Sequence, residues 1–386
     1  MARSQHRSSD EARVSGRAIA LLFLKLGFIA FGGPAAHVAL IRREIVERNH
    51  WIEENEFFQM FAACNLIPGP SSTELAVYLG YRLAGPLGLV LAGSLFIAPA
   101  MLIMLGIAVA YIHYGTTHIA VSGLNGIRPV VVAIVTWALI DLGKRLLTRW
   151  VLWPIAIAVF GLSLAAVPPI LLLALAGIAG ILITLPWVPG RVRHGGLMAI
   201  GKAVLPFAVI SAHPGRLATV FLTFLKLGAI SYGSGYVLFA FLHTDFVNGL
   251  HWLSDAQLAD AVAIGQATPG PVFTTATFLG YLFAGVPGAL LATLGIFLPG
   301  FLLVPFLDRI VRLVETHVSA RAFLDGVNVG ALGLIAGVTA VLARTALHDP
   351  VTVGLAALAL PILIWRPLSS PVLIVAGAVV GVIAGR

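Results

Sequence analysis

An uninterrupted apolar stretch constrains this chain more than any other feature. The 30 residues from Leu83 to Ile112 contain no charged side chain, and about 20 apolar residues suffice to cross the hydrocarbon core of a bilayer. Of all 386 residues, 59% are hydrophobic and only 10% are charged, against about 25% charged in a typical soluble domain. The sequence therefore predicts an all-α, polytopic integral membrane protein.

Other apolar segments extend this prediction along the chain. Two of them, 57–84 and 258–283, are interrupted by Pro-Gly-Pro, and the pieces on either side are too short to cross alone at about 1.5 Å per residue. These two are predicted to be broken or re-entrant helices. The remaining candidate spans are 18–41, 119–140, 151–166, 170–187, 217–242, 287–307, 322–343, 351–364 and 371–385.

The chain also contains an internal duplication. The sequence of Phe23–Gly27 recurs at Phe224–Gly228, and Pro68-Gly69-Pro70 recurs as Pro269-Gly270-Pro271, both 201 residues later. Such a register over a long stretch predicts two homologous halves. The predicted division is a basic N-terminal tail at 1–16, a first repeat at 17–190, a basic linker at 191–214 and a second repeat at 215–386.

The basic residues indicate that the two halves are inverted. Loop 42–56 carries three arginines and its counterpart 242–257 has no Lys or Arg, whereas 113–122 has none and its counterpart 308–322 has three. Because cytoplasmic loops are enriched in Lys and Arg, equivalent loops should lie on opposite sides of the membrane. Inverted repeats are common in transporters, whose sites lie between the repeats near the midplane.

The two Pro-Gly-Pro breaks are the strongest candidates for a binding site. Helices that begin at Ser71 and Val272 would present free N–H groups and about +0.5 of partial charge, which suits an anion. The two breaks are therefore expected to face each other near the midplane, close to Asn65 and Gln266. The alternative interpretation is that they are ordinary turns between spans.

A second pair of breaks lies nearer the start of each repeat. Phe31-Gly32-Gly33-Pro34 corresponds to Tyr232-Gly233-Ser234-Gly235, and Lys25 and Lys226 each lie seven residues before the first glycine. Seven residues are about two helical turns, so each lysine shares a face with its break. Alternatively, these lysines extend to the membrane interface.

Two single residues are each predicted to have a specific role. Arg128 lies near the middle of 118–141, where a cation is costly and usually functional, unless the span is placed differently. Glu74 is the acid nearest a break. It is either the partner of Ser71 in a capping box or a proton carrier.

The predicted site combines the breaks with these charged residues. Glu74 is assigned to proton coupling, and no metal site, cofactor or catalytic group is predicted, because Cys64 is the only cysteine and no metal or nucleotide motif occurs. The net charge of +8 is attributed to topology, so no nucleic-acid partner is expected. The substrate-binding residues are predicted to be Lys25, Gly32, Gly33, Asn65, Pro68, Gly69, Pro70, Ser71, Ser72, Arg128, Lys226, Gly233, Ser234, Gln266, Pro269, Gly270, Pro271 and Thr274.

Several linked motifs occur in the first half: Phe31-Gly32-Gly33-Pro34, His37, Trp51, Asn65 through Glu74, Gly80-Tyr81, Gly85-x-x-Gly88 and Phe96-Ile97-Ala98-Pro99. With their counterparts in the second half, they resemble the chromate transporter family over nearly the whole chain. The resemblance implies a bacterial-type, multi-pass inner-membrane protein that exports chromate and is driven by the proton gradient, with sulfate as a close mimic. A homodimer is compatible with it. The second half departs from the pattern, since Thr275 replaces Glu74.

The residues themselves leave other functions open. Chromate and sulfate are tetrahedral dianions of similar size, so a transporter of sulfate or another oxyanion, operating by uptake, fits equally well. A passive channel would also use such a site. An intramembrane enzyme could use Ser234, or Ser71 with His37, but such pairs need hydrogen-bond contact.

Overall fold

The computed structural model describes residues 14–31, 33–184, 215–232, 235–365 and 370–385, and these ranges are helical with no β-strand. The first half contains α1 (Gly16–Ile29), α2 (Gly33–Arg42), α3 (Glu54–Cys64), α4 (Ser71–Tyr114), α5 (His118–Leu146), α6 (Trp153–Leu164) and α7 (Pro169–Thr184). The second half contains α8 (Arg216–Ile230), α9 (Val237–Leu242), α10 (Asp255–Ala267), α11 (Thr275–Leu303), α12 (Leu307–Thr316), α13 (Val318–Ala346), α14 (Pro350–Trp365) and α15 (Ser370–Ile383).

Four helical stretches in the described ranges are long and apolar enough to cross a bilayer: 71–114, 118–146, 272–316 and 318–346. The first and third change direction at equivalent points. Gly85 and Gly285 both have φ of 63°, a left-handed conformation that only glycine adopts at little cost. Each long helix therefore consists of a short arm before the glycine and a full membrane crossing after it.

The first apolar segment of each half folds back on itself. Lys25 Nζ of α1 lies 2.9 Å from Glu44 Oε1, in the π-helical turn 43–48 that follows α2. A continuous helix would separate these residues by about 28 Å, so α1 and α2 form a hairpin. The expectation that 18–41 and 217–242 are simple spans is wrong for the same reason in both halves, since Lys226 reaches Asp245 at 2.6 Å.

The segments around Pro-Gly-Pro form the re-entrant hairpins that the sequence predicts. α3 enters and the short arm of α4 returns beside it, so that Arg82 Nε, near the end of this arm, lies 3.0 Å from Glu56 Oε1 near the start of α3. The mouth of the hairpin is thus marked by this ion pair, and its tip is the Pro-Gly-Pro turn.

The two halves are inverted relative to each other. After Gly85, at the mouth of the first hairpin, α4 runs 26 residues, or about 39 Å, to Tyr111, whose hydroxyl donates to Asp260 in the first half of α10. The mouths of the two hairpins therefore lie at opposite ends of α4. In the same way, Arg312 of α12, which follows α11, lines a cavity with Arg82 and Gly85 at the mouth of the first hairpin. The long helix of each half therefore leads to the hairpin of the other half.

Close helix packing also joins one half to the other. Gly126 of α5 packs against the backbone of Gly377 and Gly381 of α15, and Gly326 of α13 packs against Ala176 and Gly177 of α7. Small residues let membrane helices approach until their backbones touch. Each half therefore places its last helices on the other half, and neither packs fully alone.

This arrangement predicts the sidedness of equivalent loops. Asn49 and Leu250 both follow the π-helical turn of their hairpin, and single-cysteine variants Asn49→Cys and Leu250→Cys can be made in a Cys64→Ala background. A membrane-impermeant maleimide should label Asn49→Cys from the cytoplasmic side, which carries the arginines, and Leu250→Cys only from the opposite side. Labelling of both from one side would contradict the inversion.

Candidate functional site

The tips of the re-entrant hairpins meet the breaks of the other half. The backbone N–H of Gly69 donates to the carbonyl of Ser231 at 2.8 Å, and that of Gly270 donates to the carbonyl of Ala30, also at 2.8 Å. In each case a Pro-Gly-Pro turn of one half satisfies the carbonyl exposed where a helix of the other half stops. The unwound backbone at membrane depth is thus buried within protein, as the absence of water in the bilayer core requires.

The surroundings of the tips are closely packed. A Cβ on Gly270 would overlap Ala100 Cβ in the middle of α4, so only glycine fits there. Gly33, at the first break, faces the hydroxyl of Tyr236, which also hydrogen-bonds the side chain of Gln266. The first break, Gln266 and the tip of the second hairpin therefore lie in one region, while Gly32, Gly233 and Ser234 fall outside the described residues.

The helix starts after the two tips are similar but not identical. α4 begins at Ser71, whose hydroxyl donates to Asn65 Oδ1 at 2.7 Å across the break. Ser72, the next residue, lies 3.2 Å from His37 Nδ1. In the second half a 3₁₀ turn at Val272–Thr274 precedes α11, and Thr274 donates to the carbonyl of Pro271 at 2.7 Å.

Glu74 lies directly behind the first tip. Its side chain is buried, and neither carboxylate oxygen has a hydrogen-bond partner among the described residues. A Cβ on Gly69, whose φ is +127°, would overlap Glu74 Oε1, and Gly300 of α11 lies on the other side of the carboxylate. Pro70, and not Ser71, is the N-cap of α4 and makes no side-chain cap hydrogen bond. The capping-box interpretation therefore fails.

The cavity beside Glu74 is closed. Its volume is about 10 Å³, which is room for one water molecule at most. It is lined by both halves, with Pro70 and Val77 on one side and Gly228, Ile296 and Phe297 on the other. An oxyanion cannot enter beside Glu74 in this conformation.

A much larger cavity of about 710 Å³ opens at the mouth of the first hairpin. We call it the vestibule. Between it and Glu74 stands Tyr78, one turn further along α4, which hydrogen-bonds Asp308 after α11. The contact joins the two halves at the wall of the vestibule. The vestibule is lined by Glu56, Gln59, Tyr81, Arg82, Asp308 and Arg312, among others.

Both lysines predicted to face the site are held in ion pairs. Lys25 pairs with Glu44 and Lys226 with Asp245, and the two acids are themselves 201 residues apart. The lysines thus stabilise the hairpins and are not free to meet a substrate in this conformation. The repeat offset of the two acids, equal to that of the lysines, is a signal in the sequence for this pairing.

Arg128 also has a partner that the sequence did not reveal. Its Nε lies 2.7 Å from Asp260 Oδ1 and its Nη2 lies 3.0 Å from Oδ2, a bidentate pair between α5 and α10. Tyr111 donates to the same carboxylate at 2.9 Å, and Arg128 Nη1 donates to Asn125 at 2.9 Å. Asp260 lies eight residues, about 12 Å along α10, from Thr268, so Arg128 is set back from the tips.

The structure therefore divides the predicted residues into three places. The tips, the first break, Gln266 and Glu74 lie together between the halves. The lysines lie within the α1–α2 and α8–α9 hairpins, and Arg128 lies toward the mouth of the second hairpin. A substrate that uses both the tips and Arg128 must therefore move between them.

Comparison with known proteins gives matches over both halves. A family model described as "Chromate transporter" matches residues 17–181 and 218–382. The "Probable chromate transport protein" of Synechococcus elongatus is 34% identical, covering 94% of this chain and 93% of that protein. The "Chromate transport protein" of Cupriavidus metallidurans is 32% identical, covering 95% and 93%. No solved structure matches.

The packing at the first tip predicts a strong effect of adding one methyl group. Gly69→Ala would place a Cβ on a residue of positive φ, where it overlaps Glu74. Gly85→Ala would also place a Cβ on a residue of positive φ, but in open space. Gly85→Ala should cost about 1–2 kcal/mol, and Gly69→Ala a further ~1–3 kcal/mol from overpacking. Thermal unfolding in detergent measures both effects. Equal losses of stability would show that the Glu74 carboxylate moves aside at little cost.

Proposed function

The chain belongs to the chromate transporter family, and on that basis we propose that it is a secondary active transporter that exports chromate from the cytoplasm in exchange for protons. The chain and its named relatives cover each other almost end to end. The proposal places it in the inner, cytoplasmic membrane as a multi-pass protein. The observation that carries the coupling is the buried, unpartnered Glu74 between the two halves.

Glu74 is suited to carry a proton because no residue in the described ranges forms an ion pair with its carboxylate. A buried carboxylate without donors is costly when ionised, so protonation is favoured while the cavity is closed. Opening toward either side would hydrate the carboxylate and release the proton. Because Gly69 of the tip lies against it, the charge on Glu74 and the position of the tip are coupled.

The anion needs positive partners that become available at the right time. The helix starts at the tips supply partial positive charges. Arg128 supplies a full positive charge, and its side chain is 19% exposed. The lysines remain bound to their acids. We propose that the anion passes between Arg128 and the tips as the two halves move, so that only one of them holds it at a time.

The inverted fold favours alternating access for this movement. The vestibule opens on the side that carries Arg82 and Arg312, which the positive-inside rule assigns to the cytoplasm. Chromate would enter there and leave on the side of Arg128. Sulfate, with the same shape and charge, is the main rival substrate, and uptake is the rival direction.

Direction and coupling can be tested together in inside-out membrane vesicles. An acidic lumen should drive chromate into the lumen, because protons that leave toward the cytoplasmic face exchange for chromate. A protonophore should abolish the accumulation. Loss of preloaded anion from an acidic lumen would indicate uptake by symport, and flux that ignores the gradient would indicate a channel. Sulfate in place of chromate tests selectivity.

The roles of two residues separate in a counterflow experiment across a pH series. Arg128→Ala should weaken oxyanion binding at least about tenfold, since a hydrogen bond to a charged group contributes about 1.5–3 kcal/mol. Glu74→Gln should retain binding and lose the pH dependence of flux. Arg145→Ala is the matched control, because Arg145 is an exposed arginine on the same helix, paired with Asp141.

Two results would contradict these assignments. Wild-type pH dependence in Glu74→Gln would leave Glu74 without a role in coupling. Unchanged affinity in Arg128→Ala would leave the helix starts at the tips to hold the anion.

A further inference from the structure

Asp260 occupies the position on Arg128 that an oxyanion would take. The guanidinium offers Nε and Nη2 as a fork, and both oxygens of Asp260 accept from it, at 2.7 and 3.0 Å. The same fork binds tetrahedral oxyanions such as phosphate by two parallel hydrogen bonds. The arginine is thus already paired with an anionic group, and that group belongs to the protein itself.

The two partners differ in their access to water. The Asp260 side chain is only 3% exposed, whereas 19% of the Arg128 side chain is exposed. An anion can therefore approach the arginine while the carboxylate remains inside. When displaced, Asp260 keeps the hydroxyl of Tyr111 as a donor, so that its charge is not left without a partner.

We propose that Asp260 is the internal counter-anion of the transport site, which chromate or sulfate displaces from Arg128 and which recovers the arginine when the substrate leaves. This inference rests on the proposed role of Arg128 in anion binding. It assigns Asp260 a function that Arg128 alone cannot provide. A buried cation without a counter-ion would bind a dianion too tightly to release it, whereas a competing carboxylate lowers the affinity and promotes release.

Among the described residues, Arg128 is the one cation that contacts Asp260. Tyr111 of α4 is the titratable group beside it. On α10 itself, Asp255 pairs with His243 at 3.1 Å, five residues away. The charged groups near the start of α13, Arg321 and Asp325, line a different cavity together with Arg149, beyond the far end of α5.

The test is equilibrium binding of chromate and of sulfate to the purified full-length protein with Asp260→Asn. We expect binding of both anions to tighten roughly tenfold, which corresponds to about 1.4 kcal/mol, while turnover in vesicles falls because release is slowed. The control is Asp141→Asn, which removes an acid from another Arg–Asp pair on α5 and should leave the affinity unchanged.

A second measurement separates displacement from a purely structural ion pair. Asp260→Asn should unfold at a lower temperature than wild type without oxyanion, and sulfate should raise its unfolding temperature more than that of wild type. Unchanged or weaker affinity, or a destabilised variant that sulfate does not rescue, overturns the inference. If Arg128→Ala binds as wild type, the proposed anion site itself is wrong. If Arg128→Ala loses binding and Asp260→Asn does not gain it, only the role of Asp260 is wrong.

Discussion

The need to satisfy every backbone group inside the bilayer governs this structure. Each Pro-Gly-Pro turn leaves peptide groups unpaired at membrane depth, where no water can replace the lost hydrogen bonds. The solution is an exchange: Gly69 donates to Ser231, and Gly270 donates to Ala30. Each tip is therefore completed by the other half, and Glu74 lies directly behind one of these two contacts.

The distribution of charge also follows from the absence of water in the bilayer core, which makes its dielectric constant low. Lys25, Lys226 and Arg128 all lie in apolar segments, and each is bound to a carboxylate. Burying an ion without a partner is costly, so the conformation described keeps its cations neutralised. Glu74 differs from these groups, since its carboxylate is buried beside a closed cavity without a hydrogen-bond partner among the described residues.

The halves share a backbone plan but differ in chemistry. Thr275 stands where the first half has Glu74, and Gln59 stands where the second half has Asp260. The proposed proton carrier and the acid of the arginine pair thus occur once each, in different halves of the repeat pattern. This asymmetry suits an exchanger, because a proton and an anion need different partners, whereas a symmetric pair of sites would treat both directions alike.

The sequence by itself determined the membrane class, the duplication, the inversion and the re-entrant hairpins, because hydropathy, repeat offset, loop charge and Pro-Gly-Pro are local or periodic signals. It also singled out Glu74 and Arg128 as charges in apolar runs, and the roles assigned to them stay predictions. Only the tertiary structure decided that α1 and α2 fold back through Lys25 and Glu44, and that Arg128 is bound to Asp260, 132 residues away. Those contacts join elements distant in sequence, and pairing between distant charges depends on how helices pack, which no local pattern records.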